Sequence, residues 1–254
     1  MAVDFDLGGK WIMVTGATSG LGKSFTQALC EQGANVIATG RRTPRLEVLA
    51  ADMAGQPGQV AALSFDVNDR SASSEAIAKA WDISDGALWG LVNNSGVQTT
   101  APIEDTTEDE YDFVMDTNVK AAFFMTTEIG KRFIARGNGG RVVNIASIAA
   151  FKTLVLNSVY CMSKAATAHM TKCFAREWAR YQINVNAICP GFIETEINSD
   201  FFKTETGEKF IKRFPRRRVG HDTDLNELLL YLLSPASGFV TGSTIVADDG
   251  QVLA

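Results

Sequence analysis

Short apolar runs alternate with longer amphipathic stretches along the whole chain. Strands that are apolar on both faces and alternate with helices are typical of a parallel sheet covered by helices on both sides. The pattern contains no internal repeat and no linker, so it predicts one doubly wound (Rossmann-type) α/β domain over residues 1–254. The longest predicted helices span residues 107–135 and 158–180. The seven runs that predict strands are residues 11–15, 35–39, 60–65, 90–93, 140–145, 182–188 and 244–246.

The first predicted strand runs into a glycine-rich turn that contains Gly16, Gly20 and Gly22, and a helix follows. Glycines let the backbone approach a pyrophosphate, and the free N–H groups of a helix N-terminus attract it. The spacing is G-x-x-x-G-x-G rather than G-x-G-x-x-G. The turn therefore predicts a dinucleotide site, and an ordinary strand–helix connection is the alternative.

The second predicted strand ends in Gly40, Arg41 and Arg42, without an acidic residue. An acid at this point binds the ribose 2′-hydroxyl of NAD, whereas an arginine accommodates the 2′-phosphate of NADP. The strand end therefore favours NADP(H) over NAD(H). The alternative is that the two arginines merely precede the next helix.

Tyr160 and Lys164 lie four residues apart on a predicted helix, so their side chains share one face. An ammonium beside a phenol favours the phenolate, which predicts that Lys164 lowers the pKa of Tyr160. A tyrosine tuned in this way can exchange a proton with a substrate oxygen. Ser147 directly follows a buried strand, where open α/β sheets place their ligands. Such a tyrosine–lysine pair also occurs by chance on many helices.

Three further features lie at predicted strand ends or inside a predicted helix. Asp66 and Val67 end the third strand, and the turn N-N-S-G at residues 93–96 ends the fourth, so both are expected to face the cofactor. The N-N-S-G sequence is also good turn chemistry by itself. Asn118 interrupts a helix interior, where asparagine is unfavourable, so it is either exposed or has a specific role.

Residues 192–219 follow the strand-ending pair Pro190–Gly191 and form an irregular amphipathic segment, which predicts a lid over the substrate. Its basic residues could bind an acidic carrier or a coenzyme A phosphate, or could simply form a solvated face. These basic residues are Lys209, Lys212, Arg213, Arg216, Arg217 and Arg218. The apolar side chains predicted to line a substrate pocket are Phe151, Leu154, Phe192, Phe201 and Phe202.

Composition narrows the functional classes. The chain is 46% hydrophobic and 21% charged, with a net charge of -5, which disfavours a nucleic-acid partner. The four cysteines are predicted to be reduced, buried thiols of a cytoplasmic protein. The two histidines are far apart and predict no metal site. The N-terminus lacks the apolar region of a signal peptide, and no apolar run predicts a membrane span.

Taken together, the motifs resemble those of the short-chain dehydrogenase/reductase family. The matching elements are T-G-A-T-S-G-L-G at residues 15–22, N-N-S-G at 93–96, Asn118, Ser147, Tyr160-x-x-x-Lys164 and Pro190–Gly191. The resemblance covers essentially the whole chain. It implies a seven-stranded parallel sheet, an NAD(P) cofactor and a homotetramer, with a dimer as the alternative.

The resemblance also implies roles for individual residues. Asn118, Ser147, Tyr160 and Lys164 would be catalytic, with Asn118 holding a water in a proton relay. Ser147, Tyr160 and Phe192 would contact the substrate. The implied cofactor contacts are Gly16, Thr18, Ser19, Gly20, Leu21, Gly22, Arg41, Arg42, Asp66, Val67, Asn93, Tyr160, Lys164, Pro190, Gly191, Ile193 and Thr195.

The chain departs from the family pattern at two places. Ser95 replaces the usual alanine of the fourth strand's turn, and the glycine turn lacks the basic residue that many NADP(H)-preferring members carry. The predicted activity is the interconversion of a secondary alcohol and a ketone, with a 3-oxoacyl thioester or another apolar ketone as substrate. A polyol, sugar or aryl-alcohol dehydrogenase and a non-catalytic dinucleotide sensor are the alternatives.

Overall fold

The computed structural model describes residues 4–195 and 199–253. Its core is one parallel sheet of seven strands in the order β3-β2-β1-β4-β5-β6-β7. Each strand begins and ends within two residues of its predicted bounds. The prediction succeeds because the strands of a parallel sheet are buried on both faces and therefore form continuous apolar runs in the sequence. The strands are β1 Trp11–Val14, β2 Asn35–Gly40, β3 Val60–Ser64, β4 Leu88–Asn93, β5 Gly140–Ile145, β6 Ile183–Pro190 and β7 Thr244–Ala247.

Helices cover both faces of the sheet, as predicted. One buried cluster joins α1 and α9 to the sheet through Phe25 and Leu229, and the other joins α3, α5 and α6 through residues such as Ile77 and Phe133. Burying each such side chain contributes about 1.5–3 kcal/mol. The helices are α1 Gly20–Glu31, α2 Thr43–Asp52, α3 Arg70–Ile83, α4 Glu108–Met115, α5 Ala122–Arg136, α6 Ser158–Trp178, α7 Ser199–Phe202, α8 Glu205–Ile211 and α9 Asn226–Leu233.

The helix predicted over residues 107–135 is interrupted. It begins with a capping box in which Thr107 and Glu110 exchange hydrogen bonds. Between α4 and α5, the residues Asp116–Ala121 form a π-helical turn that contains Asn118. Such turns insert an extra residue into a helix and often occur at functional sites.

Two further observations concern the cysteines and the helices. Cys30, Cys161 and Cys189 are buried thiols as predicted, but Cys173 is exposed, since it lies on the outer face of α6. Within the described ranges, every helix is too short or too polar to cross a lipid bilayer.

Candidate active site

A cleft of about 620 Å³ opens at the carboxyl ends of the strands. From β1 the chain continues outward to β2 and β3 at one edge of the sheet, and from β4 it continues outward to β5, β6 and β7 at the other edge. The strand order therefore reverses between β1 and β4. Open α/β sheets bind ligands at this point. The predicted site residues that line the cleft are Gly16, Thr18, Ser19, Gly20, Leu21, Arg41, Arg42, Asp66, Val67, Ser147, Tyr160, Lys164, Pro190, Gly191, Phe192, Ile193 and Thr195.

The glycine turn has the backbone conformation that a phosphate cradle needs. Gly16 and Gly20 have φ of 68° and 50°, in the left-handed region that favours glycine. Gly22 does not line the cleft, and a Cβ on it would lie 2.3 Å from the carbonyl oxygen of Gly16. Its role is therefore close packing. The N-terminus of α1 points into the cleft with its unpaired N–H groups and favourable dipole.

The turn after β4 clamps the glycine turn in place. The side-chain Nδ2 of Asn94 donates to the carbonyl oxygen of Thr15 at 2.9 Å, and the hydroxyl of Thr15 accepts from the backbone N–H groups of Asn94 and Ser95 at 3.0 Å each. The N-N-S-G motif thus holds two strand ends together, in addition to lining the cleft.

Two arginines form one end of the cleft. Arg42 donates from Nε and Nη2 to the hydroxyl of Thr18 at 3.0 and 2.6 Å, and from Nη2 to the hydroxyl of Ser19 at 2.8 Å. Arg41 lies 3.7 Å from the Asp66 carboxylate. The position that an acid would occupy in an NAD-binding strand end is Gly40, where a Cβ would lie 2.8 Å from the Thr18 methyl group.

Ser147 and Tyr160 meet at the opposite end. Ser147 begins a 3₁₀ turn, Ile148–Ala150, and its hydroxyl accepts from the N–H of Ala149 at 3.1 Å. The Ser147 hydroxyl also hydrogen-bonds Tyr160. Burial raises the pKa of Tyr160, and the Ser147 bond lowers that pKa by a smaller amount. The phenol is therefore protonated at neutral pH and positioned as a proton donor.

Lys164 is buried directly behind the phenol. Its ammonium lies 5.6 Å from the centre of the Tyr160 ring and donates to the carbonyl oxygen of Ile145 at 2.9 Å. Burial lowers the pKa of Lys164 to about 8. The sequence-based expectation of a lowered Tyr160 pKa is wrong for this structure: the pKa is raised overall, because desolvation of the phenol outweighs the effects that lower it.

Asn118 supports the site from behind and does not line the cleft. Its side chain makes three hydrogen bonds: Oδ1 accepts from the N–H of Val97 at 2.8 Å, and Nδ2 donates to the Val97 carbonyl and the Ser163 hydroxyl at 2.9 Å each. Ser163 in turn donates to the carbonyl oxygen of Tyr160 at 2.7 Å. The side-chain amide therefore positions Val97 and α6, with both of its N–H donors in use.

Asn93 lies in β4 away from the cleft. Its Nδ2 donates to the hydroxyl of Thr126 and to Oδ1 of Asn144, both at 2.8 Å. The expected contact with the cofactor is not supported by this position, because the side chain links β4 to α5 and β5. The residues of the motif that face the cleft are Asn94, Ser95 and Gly96.

The substrate end of the cleft is mostly apolar. Leu154 and Phe192 line it as predicted, but Phe151, Phe201 and Phe202 do not. Phe151 and Phe201 are exposed and Phe202 is packed inside its own segment, since the sequence does not specify which way these rings turn. Motif analysis missed further lining residues that carry no sequence signal: Val97, Gln98, Phe113 and Ile148.

The segment predicted as a lid folds into α7 and α8, and residues 196–198 of it lie outside the described residues. Phe192 packs on Phe210 and Phe214, with ring centres 5.0 and 5.4 Å apart. The two ends of the segment meet where the N–H of Gly220 donates to the Phe192 carbonyl at 2.9 Å and the N–H of Glu194 donates to the Gly220 carbonyl at 2.8 Å.

The six basic residues between Lys209 and Arg218 divide into two groups. Arg216 and Arg218 pair with Asp249 at 3.2 and 2.7 Å, and Lys209 pairs with Glu205 at 2.6 Å. Within the described ranges, the other three make no ion pair and are exposed: Lys212, Arg213 and Arg217.

Known proteins are similar to this chain in both sequence and fold. A family model described as short chain dehydrogenase matches residues 10–206. An NAD-dependent glycerol dehydrogenase of Listeria innocua is 34% identical over 98% of this chain and 96% of its own. A 3-oxoacyl-(acyl-carrier-protein) reductase of Thermotoga maritima is 34% identical over 97% of this chain and 99% of its own. The crystal structure of a gluconate 5-dehydrogenase from Burkholderia cenocepacia, in complex with NADP and tartrate, superposes with a TM-score of 0.92 at 30% identity, covering 99% of this chain and 98% of that one.

Proposed function

Because the chain belongs to the short-chain dehydrogenase family, we propose that it interconverts a secondary alcohol and a ketone by hydride transfer, with NADP(H) preferred over NAD(H). The observation that carries the proposal is the Ser147–Tyr160 hydrogen bond beside the Lys164 ammonium, in the same cleft as the glycine turn. A proton donor and a dinucleotide cradle in one cleft are what carbonyl reduction requires.

The residues of the cleft fit a dinucleotide. Gly16 and Gly20 leave the backbone open for a pyrophosphate at the N-terminus of α1. At the other end, Arg42 and the hydroxyls of Thr18 and Ser19 form a group of donors suited to a 2′-phosphate. This cationic cluster supports NADP(H). The similar proteins include both cofactors: the glycerol dehydrogenase is NAD-dependent, and the gluconate 5-dehydrogenase structure contains NADP.

The chain's own residues would handle the proton. When bound, the nicotinamide supplies or accepts the hydride. In the direction of reduction, Tyr160 gives its hydroxyl proton to the substrate oxygen, and the Ser147 hydroxyl donates a hydrogen bond to the same oxygen as negative charge develops. The charged Lys164 stabilises the phenolate that this transfer leaves behind, since opposite charges attract strongly at a buried site.

We propose a neutral, largely apolar ketone as the substrate, either a 3-oxoacyl thioester or another apolar ketone. Among the described residues that line the substrate end, Lys164 is the one cation. A carboxylate moved into this end would lose its hydration without gaining an arginine or histidine partner. The side chains present favour aliphatic or aryl groups: Val97, Phe113, Ile148, Leu154 and Phe192.

A neutral polyol or sugar is the second candidate. Gln98 lines the same end and offers an amide that can both donate to and accept from a hydroxyl group. The similarity to the glycerol dehydrogenase points in the same direction. A thioester carrier would instead use the exposed Lys212, Arg213 and Arg217, which retain their charge for an acidic partner.

The direct test is consumption of NADPH and NADH by the purified protein against matched ketones. The panel pairs neutral aliphatic ketones, aryl ketones and 3-oxoacyl thioesters with keto-sugars and with keto-acids of equal size. We expect turnover of a neutral ketone that is faster with NADPH than with NADH. Faster turnover of the keto-acid member of each pair would overturn the substrate assignment. The absence of turnover with every ketone would overturn the reductase proposal.

We also propose that the protein acts as a cytoplasmic homotetramer, the assembly that the family resemblance implies, with a dimer as the alternative. Sedimentation equilibrium of the purified chain distinguishes the two, because the chain mass is 27.4 kDa. A monomer at every concentration would contradict the proposal.

A further inference from the structure

A buried glutamine near the C-terminus bridges both ends of the segment predicted as a lid. Gln251 is 2% exposed. Its Oε1 accepts from the N–H of Phe192 at 2.7 Å, and its Nε2 lies 3.4 Å from the carbonyl oxygen of Arg218, to which it donates. Phe192 begins the proposed lid and Arg218 lies at its end, so one side chain bonds the backbone of both.

The turn that carries Gln251 is itself held in place. Asp248 accepts from the N–H groups of Gly250 and Val252 at 2.9 and 2.6 Å, which fixes the 3₁₀ turn Gln251–Leu253. Asp249 pairs with both Arg216 and Arg218. The C-terminal turn is thus attached to the lid by two ion pairs on the surface and by the Gln251 amide in the interior.

Close packing around the amide leaves little freedom for Phe192. A Cβ on Gly191 would lie 2.5 Å from Oε1 of Gln251, so a glycine is required immediately before Phe192. Phe192 lines the cleft and stacks on Phe214. A shift of the Phe192 backbone would therefore move the aromatic wall of the substrate end.

We propose that Gln251 is a positioning residue that sets the substrate wall and keeps the lid closed, through the Phe192 N–H above all. The part of this proposal that concerns substrate affinity rests on the proposed function. The lid closure itself does not depend on which reaction the cleft performs. Gln251 touches no reacting atom, so its effect is expected on binding of the substrate rather than on the chemical step.

The test compares Gln251→Leu with the matched control Leu253→Ala, whose side chain is exposed on the same turn. The leucine variant keeps the volume and loses both bonds. Trypsin cleavage in the native state measures lid opening, since the lid carries exposed lysines and arginines. Fluorescence titration with NADPH and the KM and kcat for the best ketone of the panel complete the set.

We expect Gln251→Leu to be cleaved in the lid about tenfold faster and to raise the ketone KM about tenfold, the loss expected for one buried hydrogen bond. Its kcat and NADPH affinity should stay near those of the unaltered protein. Leu253→Ala should change neither. A raised KM with an unchanged kcat separates positioning of Phe192 from a general loss of folded protein.

Equal lid cleavage and KM in Gln251→Leu and the unaltered protein would overturn the proposal. If Gln251→Leu does not fold, Gln251→Asn replaces it, because its amide is one methylene shorter and cannot reach Phe192. If no ketone is reduced, the proposed function fails, while the cleavage comparison still decides the role of Gln251.

Discussion

Lys164 donates a hydrogen bond of 2.9 Å to the carbonyl oxygen of Ile145 at the end of β5. This bond ties α6 to β5, the strand that directly precedes Ser147, and keeps the ammonium beside the Tyr160 ring. Burial there lowers the pKa of Lys164 to about 8 and raises the pKa of Tyr160. The raised pKa keeps the phenol protonated at neutral pH, whereas the lowered pKa means that Lys164 loses its charge just above neutral pH.

The first prediction concerns pH. The folded-state pKa of Lys164 is about 8, so its charge is present below pH 8 and is lost as pH rises through that value. Reduction needs this charge to stabilise the phenolate, so kcat/KM for ketone reduction with NADPH should be level below about pH 7.5 and fall up to tenfold per pH unit above about pH 8. Cofactor affinity measured at each pH is the control. A profile that stays level to about pH 10 would contradict the assignment.

The second prediction concerns cofactor choice. Arg42 lies against Thr18 and Ser19, where a 2′-phosphate would bind. Losing a charge-assisted hydrogen bond costs about 1.5–3 kcal/mol, so Arg42→Ala should weaken NADPH binding about 10- to 100-fold and leave NADH binding within about twofold. Fluorescence titration with both cofactors measures this. Arg180→Ala, at the amino end of β6, is the control. Equal losses for the two cofactors would argue against a 2′-phosphate site.

The third prediction concerns the π-helical turn. Asn118→Leu removes three side-chain hydrogen bonds and leaves the Val97 backbone without them. The free energy of unfolding should fall by about 1–3 kcal/mol, and turnover should fall with it because Ser163 and α6 lose their support. Urea denaturation and kcat are the measurements. The control is Thr127→Val on α5, whose hydroxyl bonds within the helix and is exposed, and which should change stability little. Full stability of Asn118→Leu would show that the bonds to Val97 are dispensable.

The fourth prediction concerns the glycine turn. Alanine is normally favoured over glycine inside a helix by about 1 kcal/mol, but a Cβ on Gly22 would lie 2.3 Å from the Gly16 carbonyl oxygen. Because this contact is with backbone, the clash should outweigh the helix preference. We expect Gly22→Ala to lower the melting temperature and weaken NADPH binding. Gly8→Ala, where a Cβ meets nothing within 4 Å, should do neither. A Gly22→Ala variant with a higher melting temperature would contradict this prediction, because it would mean that the Gly16 backbone can move away from the added Cβ.

The strands and the outline of the cleft could be predicted because both depend on local pattern. Buried runs specify strands such as β5, and the ends of parallel strands meet at one edge of the sheet, which brought Gly16 and Ser147 into the same cleft. The helix over residues 107–135 was predicted as continuous, since a π-helical turn leaves no periodic signal. Its one local trace was Asn118, an unfavourable residue inside a helix.

Other features depend on direction or on distant contacts, which a linear pattern does not contain. The spacing of Tyr160 and Lys164 correctly predicted proximity, but it could not predict that the ammonium points at Ile145 or that burial dominates the Tyr160 pKa. Phe151 is exposed, although its apolar side chain and its position near Ser147 in the sequence are those expected of a residue that lines the pocket. Gln251 bonds a residue 59 positions away, and nothing near it in the sequence indicates that contact.

The central claim is that Tyr160 transfers the proton to or from the substrate oxygen. It is tested most directly by Tyr160→Phe, with Tyr181→Phe as the matched control, because Tyr181 lies at the amino end of β6 beside Arg180. With the best ketone of the panel and saturating NADPH, we predict that Tyr160→Phe binds NADPH normally and loses about 10²- to 10⁴-fold in kcat, the contribution of a positioned proton donor. Tyr181→Phe should retain full activity. Near-normal turnover by Tyr160→Phe would contradict the account.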